Sequence, residues 1–148
     1  MPVTIKKTKS SEPINWKRFP LTRIDKIDWL HQELLEKLTD LHRLADDGTE
    51  ADVILEKLDA FDKTLFENFA TEEAFMAQHG YPGLEEHRAK HIEFTSTYCI
   101  AIRRDIQDRN LYDINPLIRW FASHINQEDK EMAAFFQNLA ENPEMANN

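Results

Sequence analysis

Asn68 and Glu72 stand four residues apart, and so do His87 and His91. Residues four apart share a helix face. Between the two pairs runs Gly80-Tyr81-Pro82-Gly83, a combination that breaks a helix. A helical hairpin folded there brings a carboxylate and two imidazoles to one height. His31, His124 and Asp129 join them in residue type. Cysteine is missing from this set, which excludes a structural zinc site built on thiolates. Imidazole with carboxylate suits iron, manganese or zinc, and the residues do not choose among these. Two carboxylates among histidines can bridge a pair of ions, which favours a dinuclear centre. No nucleophile is matched to a base, which argues against hydrolysis.

Such residues need helices to carry them. The first is expected from about Ile24 to Ala45, with a stripe of Ile27, His31, Leu34, Leu38, Leu41 and Ala45. Asp46-Asp47-Gly48 ends it, with Gly48 suited to a left-handed cap. The second begins near Thr49, where Thr49 and Asp52 resemble a capping box. Its stripe is Ile54, Leu58, Phe61, Leu65, Asn68, Glu72 and Phe75. The third follows the break with Leu84, His87, His91, Phe94, Tyr98, Ala101 and Ile102, and fades near Arg109-Asn110. Asn115 as cap and Pro116 in first position open the fourth. Its stripe is Leu117, Phe121, His124 and Glu128, with Trp120, Ile125 and Asp129 beside it. Met132, Phe135, Phe136 and Leu139 continue the stripe, and Asn142-Pro143 ends the helix.

Four helices with short connections predict an all-α fold, an up-down-up-down antiparallel four-helix bundle over residues 21–142. Residues 1–20 read as an N-terminal arm pinned by Trp16 and Phe19, and residues 143–148 as a frayed tail. In that topology His31, Glu72, His87, His91, His124 and Asp129 fall near one level. An unpaired polar group in a core costs roughly 1–3 kcal/mol, and a bare charge costs more. A shared pair of metal ions satisfies all six together.

Taken singly, each residue has a plainer reading. A histidine alone in a helix stripe is usually a hydrogen-bonded core residue, and a carboxylate alone is usually solvated. Only the joint pattern over four helices favours metal. His42 lies three turns from His31 and cannot reach the same layer. His79 reads as a helix-terminal residue that favours the dipole there. Phe69, Trp120 and Phe121 read as core. Cys99 reads as a buried thiol without chemistry.

The bulk numbers narrow the partners. The chain of 148 residues carries a formal net charge of −9, with 41% hydrophobic residues and only 3 glycines. That charge argues against nucleic acid and against an anionic membrane surface, and the short basic run Lys6-Lys7-Thr8-Lys9 does not reverse it. No apolar run is long enough for a transmembrane helix, and no signal peptide is visible. A single cysteine fits a reducing compartment. The expectation is a soluble cytoplasmic protein, with a monomer as the default.

The pieces also resemble a known family in their joint spacing. Trp16 stands fifteen residues before His31, with Ile27-Asp28 just ahead of that histidine. Phe69 is followed by Glu72-Glu73 and Met76. Gly80-Tyr81-Pro82, His87-x-x-x-His91 with Phe94, and Trp120 ahead of His124 and Asp129 complete the pattern. From Trp16 to about Phe135 the chain resembles the hemerythrin family, particularly its bacterial single-domain members. The resemblance implies a non-haem centre of two iron ions that binds dioxygen reversibly, as carrier, store or sensor. By it His87, His91 and His124 hold one iron, His31 holds the other, and Glu72 and Asp129 bridge them. The family has a further ligand histidine at the position of Asn68, and many members carry Gln at that of Leu30. The missing ligand belongs to the iron that takes up dioxygen. Two other classes therefore stay open: a di-iron or mono-iron redox protein acting on peroxide, nitric oxide or iron, and a degenerate metal-binding signalling module.

Overall fold

The computed structural model describes residues 21–109 and 111–142, together with the backbone of Lys6–Lys7 and of Leu111. Trp16, Phe19, most of the arm and residues 143–148 lie outside the described residues. Four helices run antiparallel in sequence. The first is Asp25–Asp46 and the second Ala51–Gln78. The third spans residues 84–109 and the fourth residues 115–141. Each is joined to the next by a short connection, which leaves consecutive helices no option but to turn back on each other. Lys6–Lys7 runs parallel to Leu111–Tyr112 in a two-residue ladder against the connection between the third and fourth helices.

Local chemistry sets the helix ends. Asp28 holds the entry to the first helix: its Oδ1 accepts from Thr22 N at 2.8 Å and Thr22 Oγ1 at 2.7 Å, and its Oδ2 accepts from Arg23 N at 3.0 Å. At the other end Gly48 takes φ +69°, and Thr49 N donates to Leu44 O while Gly48 N donates to Ala45 O. That is a Schellman closure, in which glycine escapes the Cβ clash of a left-handed residue. It takes Thr49 away from the capping box expected of it. The second helix starts at Ala51 with no side-chain cap bond, because the Thr49 backbone is already closing the first helix. Gly80 repeats the closure at φ +68°, with Tyr81 N donating to Met76 O. The fourth helix is capped one residue earlier than expected, since Leu117 N and Ile118 N both donate to Ile114 O.

The expected stripes are the buried faces of the first two helices, with Met76 buried where Phe75 was placed. The third and fourth helices depart from the 3.6-residue period. Each contains a π-helical segment, Phe94–Cys99 and Ile125–Asp129. In the third helix the segment rephases the stripe. Cys99, Ile102 and Ile106 are buried, whereas Tyr98 is half-buried and Ala101 is exposed. A side chain captures a carbonyl at the start of each segment. Thr95 Oγ1 donates to His91 O at 3.2 Å and Ser96 Oγ to Ile92 O at 2.6 Å. In the fourth helix Asn126 Nδ2 donates to Ala122 O at 2.9 Å. Such back-bonding competes with the regular ladder and favours a local widening of the turn.

Two apolar clusters fill the bundle. The larger runs from Leu34 and Leu41 through Ile54, Phe61, Phe94 and Phe121. The smaller joins Ile27, Met76, Met132 and Phe136. The polar layer lies between them.

Candidate metal centre

His31, Asn68, Glu72, His87, His91, His124 and Asp129 are all buried. His31 comes from the first helix, Asn68 and Glu72 from the second, His87 and His91 from the third, and His124 and Asp129 from the fourth. One ligand-type atom from each of Glu72, His87, His91, His124 and Asp129 lies within 4.8 Å of all the others.

The two carboxylates divide their oxygens between two sides. Glu72 Oε1 is 3.2 Å from His87 Nε2 and 3.3 Å from His91 Nε2, whereas Oε2 is 2.9 Å from His31 Nε2. Asp129 Oδ1 is 3.0 Å from His87 Nε2 and 3.1 Å from His124 Nε2, whereas Oδ2 is 3.2 Å from His31 Nε2. One side thus gathers three imidazoles and two carboxylate oxygens. The other gathers His31 and the remaining two oxygens.

Asp129 owes its place to the π-helical segment. In a regular α-helix residue 129 points about 140° away from residue 124. The i→i+5 bonding of Ile125–Asp129 returns it to the His124 face. Asp129 is accordingly 1% exposed. Glu128, expected in the stripe, is only half-buried.

Around this set stands a shell that the sequence reading left unassigned. His91 Nδ1 is 2.9 Å from Glu73 Oε2, and Arg88 Nε donates to Glu73 Oε1 at 3.0 Å. His124 Nδ1 is 3.9 Å from Glu128 Oε1. The Glu73 carboxylate on His91 Nδ1 fixes that ring's tautomer and leaves its Nε2 free to point inward, whereas Glu128 stands beyond hydrogen-bond reach of His124. Glu73 and Glu128 adjoin Glu72 and Asp129 in the chain, and that adjacency is the signal that could have found them. Rings complete the frame: Phe69 stacks on His91 at 3.7 Å between centroids and Trp120 on His124 at 4.6 Å. A surface cavity of about 400 Å³, lined in part by Lys90, Arg119, Trp120 and Glu128, reaches the outer edge of His124.

The electrostatics call for cations in the layer. Burial works to lower His31, but the Asp129 and Glu72 carboxylates outweigh it and raise the imidazole to about 10. His124 is raised to about 10 in the same way, against burial and chiefly by Asp129. Burial and the neighbouring Asp129 would raise Glu72, yet the facing histidines hold it below the ordinary carboxylate range. Asp129 is also held low, its burial outweighed by His124 first. Two buried carboxylates thus require positive charge, and imidazolium protons or metal ions can supply it. Among the described residues neither Oδ1 nor Nδ2 of Asn68 has a hydrogen-bond partner, although the residue is 1% exposed. The donor set therefore fits a bound cation, with one amide left over.

The other residues singled out fall elsewhere. His42 sits far along the first helix, 3.8 Å from Asp46. His79 closes the second helix with Nδ1 2.9 Å from Phe75 O. Cys99 is buried and unpaired with another cysteine. Among the described residues no helix is long and apolar enough to cross a membrane.

A family model described as the hemerythrin HHE cation binding domain matches residues 22–136. No curated protein and no solved structure matches the chain significantly. The match begins two residues ahead of the first helix cap and runs past Asp129, so it takes in every helix that sends a side chain into the buried layer. With that coverage, the chain belongs to the hemerythrin family of cation-binding four-helix bundles.

Proposed function

We propose that this protein holds two non-haem iron ions in its bundle core and binds dioxygen reversibly there. His87, His91 and His124 would hold one ion and His31 the other, with the Glu72 and Asp129 carboxylates available to both. The observation that carries this reading is the division of carboxylate oxygens. Glu72 and Asp129 each turn one oxygen to the three-histidine side and the other to His31. Reduced iron supplies the electrons for reversible dioxygen binding. The chain's own part is to fix four imidazoles, exclude water with Phe69, Trp120 and Phe121, and balance the charge with two carboxylates.

The two sides are unequal. Three imidazoles with the shared carboxylate oxygens would make one shell nearly complete, while the His31 side has one imidazole and the shared oxygens. Staged chelation should release the His31-side equivalent first, and His31→Ala should lose it altogether. Two equally tight equivalents in His31→Ala would refute the assignment.

The central test is to load the protein with ferrous iron without air, count bound iron, then admit and remove oxygen. Two irons with visible bands that come and go with oxygen are expected. One iron or none would refute the dinuclear reading. A second reading rests on Asn68, whose amide is a poorer iron ligand than the imidazole of the family. A labile second iron suits redox chemistry on peroxide, nitric oxide or iron itself. Fast irreversible oxidation with turnover in the same experiment would favour it.

A further inference from the structure

We propose that the surface cavity between the third and fourth helices binds a small aromatic acid bearing a hydroxyl group, held by Arg119 at its carboxylate and by His124 and Glu128 at its hydroxyl. The cavity measures about 400 Å³, within the range of small-molecule pockets. It meets His124 from outside the metal layer, so the site does not depend on how many ions that layer holds.

Two buried polar atoms beside it lack partners. His124 is 2% exposed, and its Nδ1 has no hydrogen-bond partner among the described residues. Oε2 of Glu128 is also buried without one, and Oε1 is 3.9 Å from that nitrogen, too far for a direct bond. Both residues line the cavity. An imidazolium, like an imidazole with Nε2 on a metal, carries a proton on Nδ1. The nitrogen is therefore a donor and the carboxylate an acceptor. A hydroxyl serves both at once, accepting from Nδ1–H and donating to Glu128. Buried groups left unpaired cost free energy that such a ligand recovers.

The rest of the lining selects the rest of the molecule. Lys90 is 3.9 Å from Glu93, which answers its charge. Arg119 forms no ion pair among the described residues. A free guanidinium takes a carboxylate in two parallel bonds. Arg119 precedes His124 by five residues of regular helix, a rise of about 7.5 Å. A benzene ring with a carboxylate and a hydroxyl at opposite ends spans a similar length. Tyr98, Pro116 and Trp120 give that ring an apolar wall. Trp120 is already stacked on Phe94 at 4.1 Å and on His124, so it offers the cavity its edge. An aromatic ring lying face-on to an indole edge is a favoured arrangement.

4-Hydroxybenzoate is the probe. The full chain is titrated as purified, by calorimetry. One equivalent should bind saturably. Benzoate, which lacks the hydroxyl, should bind about tenfold or more weakly, the worth of one hydrogen bond to a charged group. Arg119→Ala, at an exposed position, should weaken 4-hydroxybenzoate by a similar factor. Ser123→Trp, also exposed and on the lining, should fill the cavity and abolish binding. In Glu128→Ala the two acids should bind alike, a readout that a merely structural role for Glu128 would not move. No saturable binding to the wild type would overturn the proposal and leave the two buried atoms to water. Equal affinity of the wild type for the two acids would overturn it as well. So would undiminished binding in Ser123→Trp, which would place the acid elsewhere.

Discussion

Asn68 leaves a buried amide without a partner, and the metal-free chain should register it. Replacing such a group by an apolar side chain of similar size removes a desolvation penalty of roughly 1–3 kcal/mol. Metal-free Asn68→Leu should therefore melt above metal-free wild type, and a lower melting temperature would place a partner on the amide. The histidines give a pH signature. His31 has an ordinary value of 6.5 and is raised to about 10 in the fold, so its contribution is complete below 6.5 and is lost as pH rises towards 10. Glu72 is lowered from 4.5 to about 2, so its contribution is complete above 4.5 and is lost as pH falls towards 2. The metal-free protein should be most stable between 4.5 and 6.5. Thermal melts across pH check this, and a maximum at alkaline pH would contradict it. His31, Glu72, His87, His91 and His124 were legible as polar residues at apolar positions of a periodic stripe. Glu73 was not, because a half-exposed carboxylate looks like any solvated one until its distance to a ring nitrogen is known.

The third and fourth helices show where a helical period misleads. A stripe counted at 3.6 residues puts Glu128 inward and leaves Asp129 at its edge. It likewise favours Tyr98 over Cys99. Both errors sit in the two π-helical segments, whose cue was the side-chain donors Thr95, Ser96 and Asn126 rather than any apolar spacing. The first two helices have no such segment, and their stripes read correctly almost to the last turn. The fourth-helix segment can be tested by deletion. Removing Gln127, which is exposed, should restore a regular turn and swing Asp129 off the His124 face. Iron binding should fall from two equivalents to one or fewer while helicity by circular dichroism holds. Retention of two irons would show that Asp129 does not depend on the widened turn.

At the scale of the whole molecule, the fold class and helix order followed from four stripes, two glycine stops and the scarcity of other breaks. The sequence could not reveal that the polar layer divides the core into unequal apolar clusters, because a stripe assigns residues to a face and not to a shared cluster. Each of the four helices sends at least one side chain into that layer, and Glu72 and Asp129 each face partners from more than one other helix. Filled with metal, the layer is a knot of cross-links that closes the chain from residue 31 to residue 129 into nested rings. A ring survives one cut. Cleavage at the exposed His79–Gly80 turn should therefore leave the loaded protein a single particle that elutes intact, and a chelator should let the two pieces part. The helical hairpins would then be held together less by the peptide that joins them than by the ions they share.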